Sequence, residues 1–281
     1  SNIGIRPLSV LQFKSIINNS DYIVSLTDGF SISLAFYYTF IDTKNKIKLV
    51  GAFHKLSDYD KKLPKILQKF YFKLFIKILK RLNFIIFYGN ADRINSIRKF
   101  NIQRDKTFLI KFGVDTKFWE PNKLNTFNSN YLFSIGQDPA RDFNTLLKVS
   151  TKKKIHIHTN LMKIRNDSKF KITNGNYHKC KESLSDLEVK KLYQDSFAVI
   201  VPLKDVFQPS GYSVTLQAMA CGKPVILTFT KGLWAPNLFQ NLKNCLLVQP
   251  QDTEGIENAI KILESDKKTY EKISQEARKT V

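Results

Sequence analysis

Cysteine is scarce in this chain of 281 residues: there are three, at Cys180, Cys221 and Cys245. Their odd number and wide spacing exclude a disulfide framework and match no metal-ligand pattern. Cys221 and Cys245 fall in apolar segments and read as small core residues, and a reducing, cytoplasmic setting fits. Long apolar runs are missing too. No stretch approaches the ~20 residues that a membrane-spanning helix needs, and the first residues lack the basic-then-apolar order of a signal peptide. The chain opens on Ser1-Asn2 rather than Met, so it reads as a fragment or as carrying the remnant of a tag. No GxGxxG, Walker A, HExxH or CxxC sequence occurs, nor any internal repeat. The largest deficit is of acid: 24 Asp and Glu stand against 45 Lys and Arg, a net charge of +21. Such a surface attracts polyanions, whether nucleic acid, anionic lipid or a phosphorylated substrate. A coding sequence rich in A and T would also raise Lys with no functional meaning. Basic residues spread over both halves without an RNA-binding motif make nucleic acid the weakest of these partners.

What is present is a globular composition, 43% hydrophobic and 25% charged, long enough for two ordinary domains. In the first half, Asp21–Leu26 reads as a short buried strand and Thr27-Asp28-Gly29 as a turn. A helix follows over Ser31–Phe40, with Ser31 as its N-cap. Lys46–Phe53 is a strand that ends at His54, at the strand end where ligands bind in open α/β sheets. Residues 61–82 carry eight Lys and Arg and no acid. The lysines step by about four to form one stripe, and Leu63, Ile66, Leu67, Phe70, Leu74, Ile78 and Leu82 fill the other faces, with Pro64 in the first turn. A basic amphipathic helix with aromatic residues suits an anionic membrane surface; the same pattern also describes a domain helix that exposes its lysines. A strand at Asn83–Phe87, a helix at Asn90–Lys99 and a strand at Thr107–Phe112 complete this half. The polar, irregular run from Glu120 to Asn130 marks the linker, so the expected domains are 1–122 and 123–281.

The second half alternates strands (131–136, 154–158, 169–173, 245–248) with helices (142–149, 184–195, 254–264, 267–279), the pattern of a doubly wound domain. His156 and His158 alternate on one strand, and without a Cys, Asp or Glu partner nearby they read as structural. The most informative run is Phe197–Phe229. Its apolar start, Phe197-Ala198-Val199-Ile200-Val201, reads as a strand buried on both faces. A loop with Pro202, Pro209 and Gly211 leads into a helix ended by Gly222, and Pro224-Val225-Ile226-Leu227 begins the next strand. Ser210, Gly211 and Tyr212 therefore stand where unpaired amides at a helix start attract phosphates.

Those residues also carry a resemblance. SGYSVTLQAMACGKPVILT is similar to the signature of the retaining GT-B glycosyltransferases of family 4. So are Phe112-Gly113-Val114-Asp115-Thr116 with Phe118 and Pro121, Tyr131–Gly136 with Arg141-Asp142, and Asn244–Val248 with Pro250 and Asp252. The four occur in the family's order over about 150 residues. The resemblance implies an α/β chain of two Rossmann-like domains of the GT-B type around a cleft, the first short or truncated and without the glycine-rich loop or returning C-terminal helix of relatives. It implies a hexosyltransferase, metal-independent and cofactor-free, moving a sugar from a nucleotide diphosphate donor to a glycan or lipid-linked acceptor. The alternative is a non-catalytic relative that binds a sugar nucleotide or a partner protein.

By the same resemblance Arg141 neutralises the leaving diphosphate and His54 faces the sugar, these two being the catalytic residues. Gly136, Gln137, Ser210, Gly211, Tyr212, Ser213 and Gln217 are the donor-binding residues. Two departures matter. Gln137 stands where relatives often carry a second Arg, and Pro209 and Gln217 replace the family's pair of glutamates. Gln217 would meet the ribose without charge assistance, and the 210–212 loop would work mainly through its backbone.

Overall fold

The computed structural model describes residues 6–44, 46–59, 65–122, 126–173 and 184–281. It forms two compact units. The first holds the residues up to Lys111 with Phe207–Pro209 and Gly232–Trp234; the second holds Phe112–Val206, Ser210–Lys231 and Ala235–Val281. The expected boundary at 122/123 adjoins 123–125, outside the described residues, as is Cys180.

The first unit opens with a 3-10 segment, Pro7–Phe13, and a short helix α1 (Lys14–Asn18), neither of which the sequence reading anticipated. Then come β1 (Tyr22–Ser25), α2 (Asp28–Phe40), β2 (Lys48–Phe53), α3 (Lys65–Lys80), β3 (Phe84–Phe87), α4 (Asn90–Phe100) and β4 (Thr107–Leu109). The strands pair in parallel in the order β1-β2-β3-β4. Right-handed crossovers in that order carry successive helices to the same face, where α2, α3 and α4 pack side by side. The reading of Asp21–Leu26 as buried is corrected for this reason. β1 is an edge strand, and Tyr22, Val24 and Leu26 are 52%, 57% and 62% exposed. Tyr22 and Val24 lie on the face opposite the helices. Phe84 and Phe108 share that face, their rings meeting edge to face at 5.6 Å.

Two helix expectations also change. Thr27-Asp28-Gly29 is no turn: α2 starts at Asp28, and Ser31 lies inside it, its hydroxyl bonded back to Thr27 O at 2.9 Å. In α3 and just past its end the buried stripe is Phe75, Ile78, Leu79 and Leu82, at spacings of three and four. Ile78 and Leu82 are inside as expected and Leu74 half-buried, but Phe70 is 73% exposed. Lys73, Lys77 and Lys80 form the expected exposed stripe. Leu63 and Pro64 lie outside the described residues.

The second unit contains β5 (Tyr131–Ile135), α5 (Phe143–Leu146), β6 (Lys154–His158), β7 (Arg165–Asn166), β8 (Phe170–Thr173), α6 (Asp186–Asp195), β9 (Val199–Val201), α7 (Tyr212–Ala220), β10 (Val225–Thr228), β11 (Leu246–Val248), α8 (Thr253–Ser265) and α9 (Lys267–Thr280). Its sheet runs β11-β10-β9-β5-β6-β8-β7, parallel except for the two-residue β7. From β5 the chain winds outward through β6 to β8, then returns to β9 beside β5 and winds the other way. β5 and β9 therefore flank the reversal point, and ligands of doubly wound sheets bind beyond the carboxyl ends of such a pair. The expected helix over 142–149 is a single turn, because Lys148 and Val149 bond to carbonyls only three residues back and close it off. Cys221 and Cys245 are buried, as their apolar segments implied. Arg278 on α9 donates to Thr116 O, Trp119 O and Ala220 O, tying down the stretch that follows Gly113.

Phe75 is fully buried between the rings of Tyr71 and Phe100, each 5.1 Å away. Phe75→Ala is expected to cost about 3–5 kcal/mol by denaturant unfolding, the range for a large aromatic core truncation. Phe70→Ala should stay within about 0.5 kcal/mol of wild type. The reverse order would put α3 on the sheet by its other face.

Candidate functional site

The loop after β5 and the loop after β9 come together at the reversal point. Arg141 forms an antiparallel bridge with Leu203, flanked by Asp142 N–H to Pro202 O at 3.0 Å and Lys204 N–H to Ala140 O at 2.9 Å. The Asp142 side chain caps α5 through Thr145, and so does not serve as the ion partner of Arg141. Arg141 is only 6% exposed, and among the described residues its Nε and Nη1 find no hydrogen-bond partner. Burial pushes its pKa down, opposed first by Asp138 and then by Tyr193. A guanidinium nonetheless stays charged in the physiological range. Gly136 is required by this packing, since a Cβ there would collide with the guanidinium.

Beyond β9, Gly211 takes the left-handed conformation (φ +81°) that favours glycine, and a Cβ would come 2.8 Å from Val201. It begins α7, whose first intrahelical donor is Thr215 N, bonded to Gly211 O at 2.9 Å. The amides of Tyr212, Ser213 and Val214 precede that bond and lie outside the ladder, at the positive end of the helix. The Ser210 hydroxyl donates to Asp138 Oδ2 at 3.1 Å, and the Tyr212 ring stacks on Phe112, centroids 3.3 Å apart. A cavity of about 150 Å³ is lined by Gln137, Asp138, Arg141 and Ser210 to Val214.

Of the donor-binding residues expected from the sequence, Gln137, Ser210, Gly211, Tyr212 and Ser213 thus meet around Arg141, with Gly136 against the guanidinium. Gln217 is not part of that lining; its Oε1 accepts a hydrogen bond from Tyr193 at 3.3 Å. Asp138 lines the cavity unforeseen. Its place before Pro139 is a turn signal, and its Oδ1 does accept the Ala140 amide at 2.9 Å.

His54 belongs to the first unit. It follows β2, and two carboxylates hold the loop it starts. Asp28 accepts the amides of His54 and Lys55 at 2.9 and 3.2 Å; Asp92 accepts those of Leu56 and Ser57 at 3.1 and 2.9 Å. His54 Nδ1 lies 3.2 Å from Asp28 Oδ1, and its ring packs on Tyr88 at 4.4 Å. Asp28 and Asp92 were missed in the sequence. Each sits in the first turn of a helix, α2 or α4, that follows a neighbour strand of β2, so the topology brings both to one loop. Burial pushes the Asp92 carboxyl up to about 6.

His156 and His158 share the Thr173 hydroxyl, at 3.2 and 2.8 Å, as cross-strand neighbours of β8. Burial pushes His156 down to about 4 and lowers His158 as well. Both are neutral, buried parts of the sheet. Among the described residues no group of three His, Cys, Asp or Glu side chains is placed to hold a metal ion, and no helix is long and apolar enough to cross a membrane.

This loop, helix and strand are what the family resemblance rests on, and residues 171–280 match the family model for glycosyl transferases group 1. The matched stretch lies in the second unit, apart from Phe207–Pro209 and Gly232–Trp234. No curated protein sequence matches the chain. Several solved glycosyltransferase structures do. HepE from Anabaena, in complex with UDP and glucose, is 16% identical, with 99% of this chain and 77% of HepE covered at a TM-score of 0.72. Sucrose-phosphate synthase from Thermosynechococcus elongatus is 16% identical, with 98% and 72% covered at 0.74. A glycosyltransferase from Rickettsia africae is 16% identical, with 99% and 75% covered at 0.66. At such identities the likeness establishes the fold: α/β, with parallel sheets, of the GT-B type.

The Asp92 carboxyl gives a pH dependence with a defined sign. Its folded pKa, about 6, lies above the ordinary 3.8. The unfolded chain therefore loses this proton first as pH rises, and stability falls. The stability difference between wild type and Asp92→Asn should decline by about 2 kcal/mol between pH 4 and 7, measured by denaturant unfolding. A difference that is flat or rises with pH would contradict the burial of an ionisable carboxyl there.

Proposed function

We propose that the chain is a retaining, metal-independent glycosyltransferase that moves a hexose from a nucleotide diphosphate sugar to a lipid-linked or polysaccharide acceptor. The observation that carries this reading is Arg141. Two donor nitrogens of a buried cation stand without a partner among the described residues, an arrangement that costs several kcal/mol unless an anion arrives. The cavity beside them adds the first turn of α7, the positive end of that helix, and the Ser210 hydroxyl, which donates to Asp138. A guanidinium with a helix N-terminus suits two adjacent phosphates. In the reaction these groups stabilise the diphosphate as it departs, while the acceptor hydroxyl attacks from the same face. Gln137, Ser210, Gly211, Tyr212 and Ser213 hold the donor largely through backbone. The group 1 match over 171–280 and the UDP-bound HepE structure support the donor class.

A second reading has its own observation. Pro209 and Gln217 replace the two acids of relatives, and the Gln217 carbonyl is taken by Tyr193. A protein that binds the sugar nucleotide without turning it over would look the same at Arg141. Calorimetry with UDP- and GDP-sugars, followed by an assay of nucleotide release, separates binding from chemistry. Arg141→Ala should lower turnover about 100-fold or more with the fold intact, and Gly136→Ala should do likewise by displacing the guanidinium. Wild-type turnover in both would remove Arg141 from the mechanism.

The acceptor side has a further support. Phe70, Lys73, Lys77 and Lys80 are exposed along α3, next to exposed Phe40, over which Lys77 lies at 4.9 Å. Each lysine near an anionic leaflet contributes about 1 kcal/mol, so this face suits a membrane that holds a lipid-linked acceptor. Flotation with vesicles containing phosphatidylserine is expected to carry the protein up, and a Lys73, Lys77 and Lys80 triple change to Gln should leave it behind. Equal flotation on neutral phosphatidylcholine would argue against electrostatic docking.

A further inference from the structure

A carboxylate weakens an anion site, yet the cavity beside Arg141 has one. Among the described residues Asp138 is the single acid in its lining, which it shares with Gln137, Arg141 and the 210–214 stretch. Both of its oxygens are engaged. Oδ1 accepts the Ala140 amide at 2.9 Å, and Oδ2 accepts the Ser210 hydroxyl at 3.1 Å. Burial lowers the Arg141 pKa, and Asp138 is the first charge that opposes the lowering. Asp138 is thus a counter-charge to the buried guanidinium that leaves Nε and Nη1 unmet.

A diphosphate in this cavity would meet like charge on Asp138 as well as opposite charge on Arg141. The cavity is only about 150 Å³, so no anion inside it can lie far from the carboxylate. At such range and inside a protein, one charge changes an equilibrium by about tenfold or more. The Ser210 hydroxyl adds a second conflict, because a hydroxyl has one proton to give. Ser210 is 4% exposed and gives that proton to Asp138. A phosphate oxygen can receive it only if the bond to Asp138 breaks. Asp138 therefore opposes the diphosphate twice, by repulsion and by competition for the Ser210 proton.

We propose that Asp138 is a built-in competitor for the diphosphate: it balances Arg141 in the empty cavity and weakens the hold on the spent nucleotide, which speeds release. The identity of that nucleotide rests on the glycosyl-transfer reading above, whereas the competition concerns any diphosphate. An Asp138 that only tied the two loops together would act through its hydrogen bonds and not through its charge. Asparagine separates these roles. It is uncharged and nearly the same size; its Oδ1 can accept the Ala140 amide while its NH2 donates to Ser210 Oγ, which releases the hydroxyl proton.

The test uses the full chain, with UDP and inorganic diphosphate as calorimetric probes at fixed ionic strength and stopped-flow displacement of UDP. Asp138→Asn is expected to bind both probes about tenfold or more tightly than wild type. Most of the gain for UDP should lie in slower dissociation. Asp138→Glu, which keeps the charge, should stay within about threefold of wild type. In UDP release from UDP-glucose, Asp138→Asn should lower KM and kcat together, since a product held more tightly leaves more slowly. Unchanged or weaker binding of both probes by Asp138→Asn, or equally tight binding by Asp138→Glu, would overturn the proposal. Should Asp138→Asn not fold, Asp138→Ser carries the same expectation, because a serine hydroxyl can also accept the amide two residues on. Tighter binding of inorganic diphosphate by Asp138→Asn, with no binding of UDP by either protein, would sink the glycosyl-transfer reading and leave the competition standing. Binding of neither probe by any of these proteins would sink both.

Discussion

The second unit depends on one buried cation. Arg141 is drawn below the surface by the backbone bridge to Leu203, and among the described residues nothing meets two of its donor nitrogens. Folding accepts that cost because the surrounding loops are built around it. Gly136 makes room for the guanidinium, Gly211 turns the chain so that α7 begins beside it, and Asp138 holds Ser210 at the rim. Remove the guanidinium and Gly136 loses its steric reason to be glycine, while Gly211 keeps its own in the left-handed turn against Val201. Placed where the winding of the sheet reverses, the arrangement sets an unmet positive charge at the position where doubly wound sheets take their ligands.

The first unit uses the opposite device. Carboxylates from the first turns of two helices converge on one loop and accept its amides in succession. The result is a histidine with little freedom at the end of a strand. Desolvation makes one of these carboxylates costly to ionise, so this rigidity comes at the expense of stability at neutral pH. Each unit thus trades stability for a fixed polar group at a strand end.

The second unit was the more legible of the two in the sequence. Its strands and helices lie close to where apolar runs and caps put them, because a sheet covered on both faces writes uninterrupted apolar strands such as Val199–Val201. The cavity lining was legible for a related reason: helix starts and glycines advertise anion sites. Gln217 was not, since its bond to Tyr193 joins residues 24 apart in the chain. In the first unit, Tyr22 and Val24 look like core residues by composition and are exposed only because all the helices wind to the other face. Phe70 misleads similarly, because a helix apolar on more than one side does not declare which side it buries. Asp28 and Asp92 read as ordinary helix-start acids, and only the order β1-β2-β3 turns them toward the loop that His54 starts.

The central claim is that the unmet donors of Arg141 receive the diphosphate of a sugar nucleotide. Its most direct measurement is the ¹H–¹⁵N spectrum of the arginine Nε groups, assigned through Arg141→Lys, during titration with UDP. The account predicts that the Arg141 Nε–H resonance shifts and gains protection from exchange as UDP binds. Saturable UDP binding that leaves this resonance where it was would contradict it.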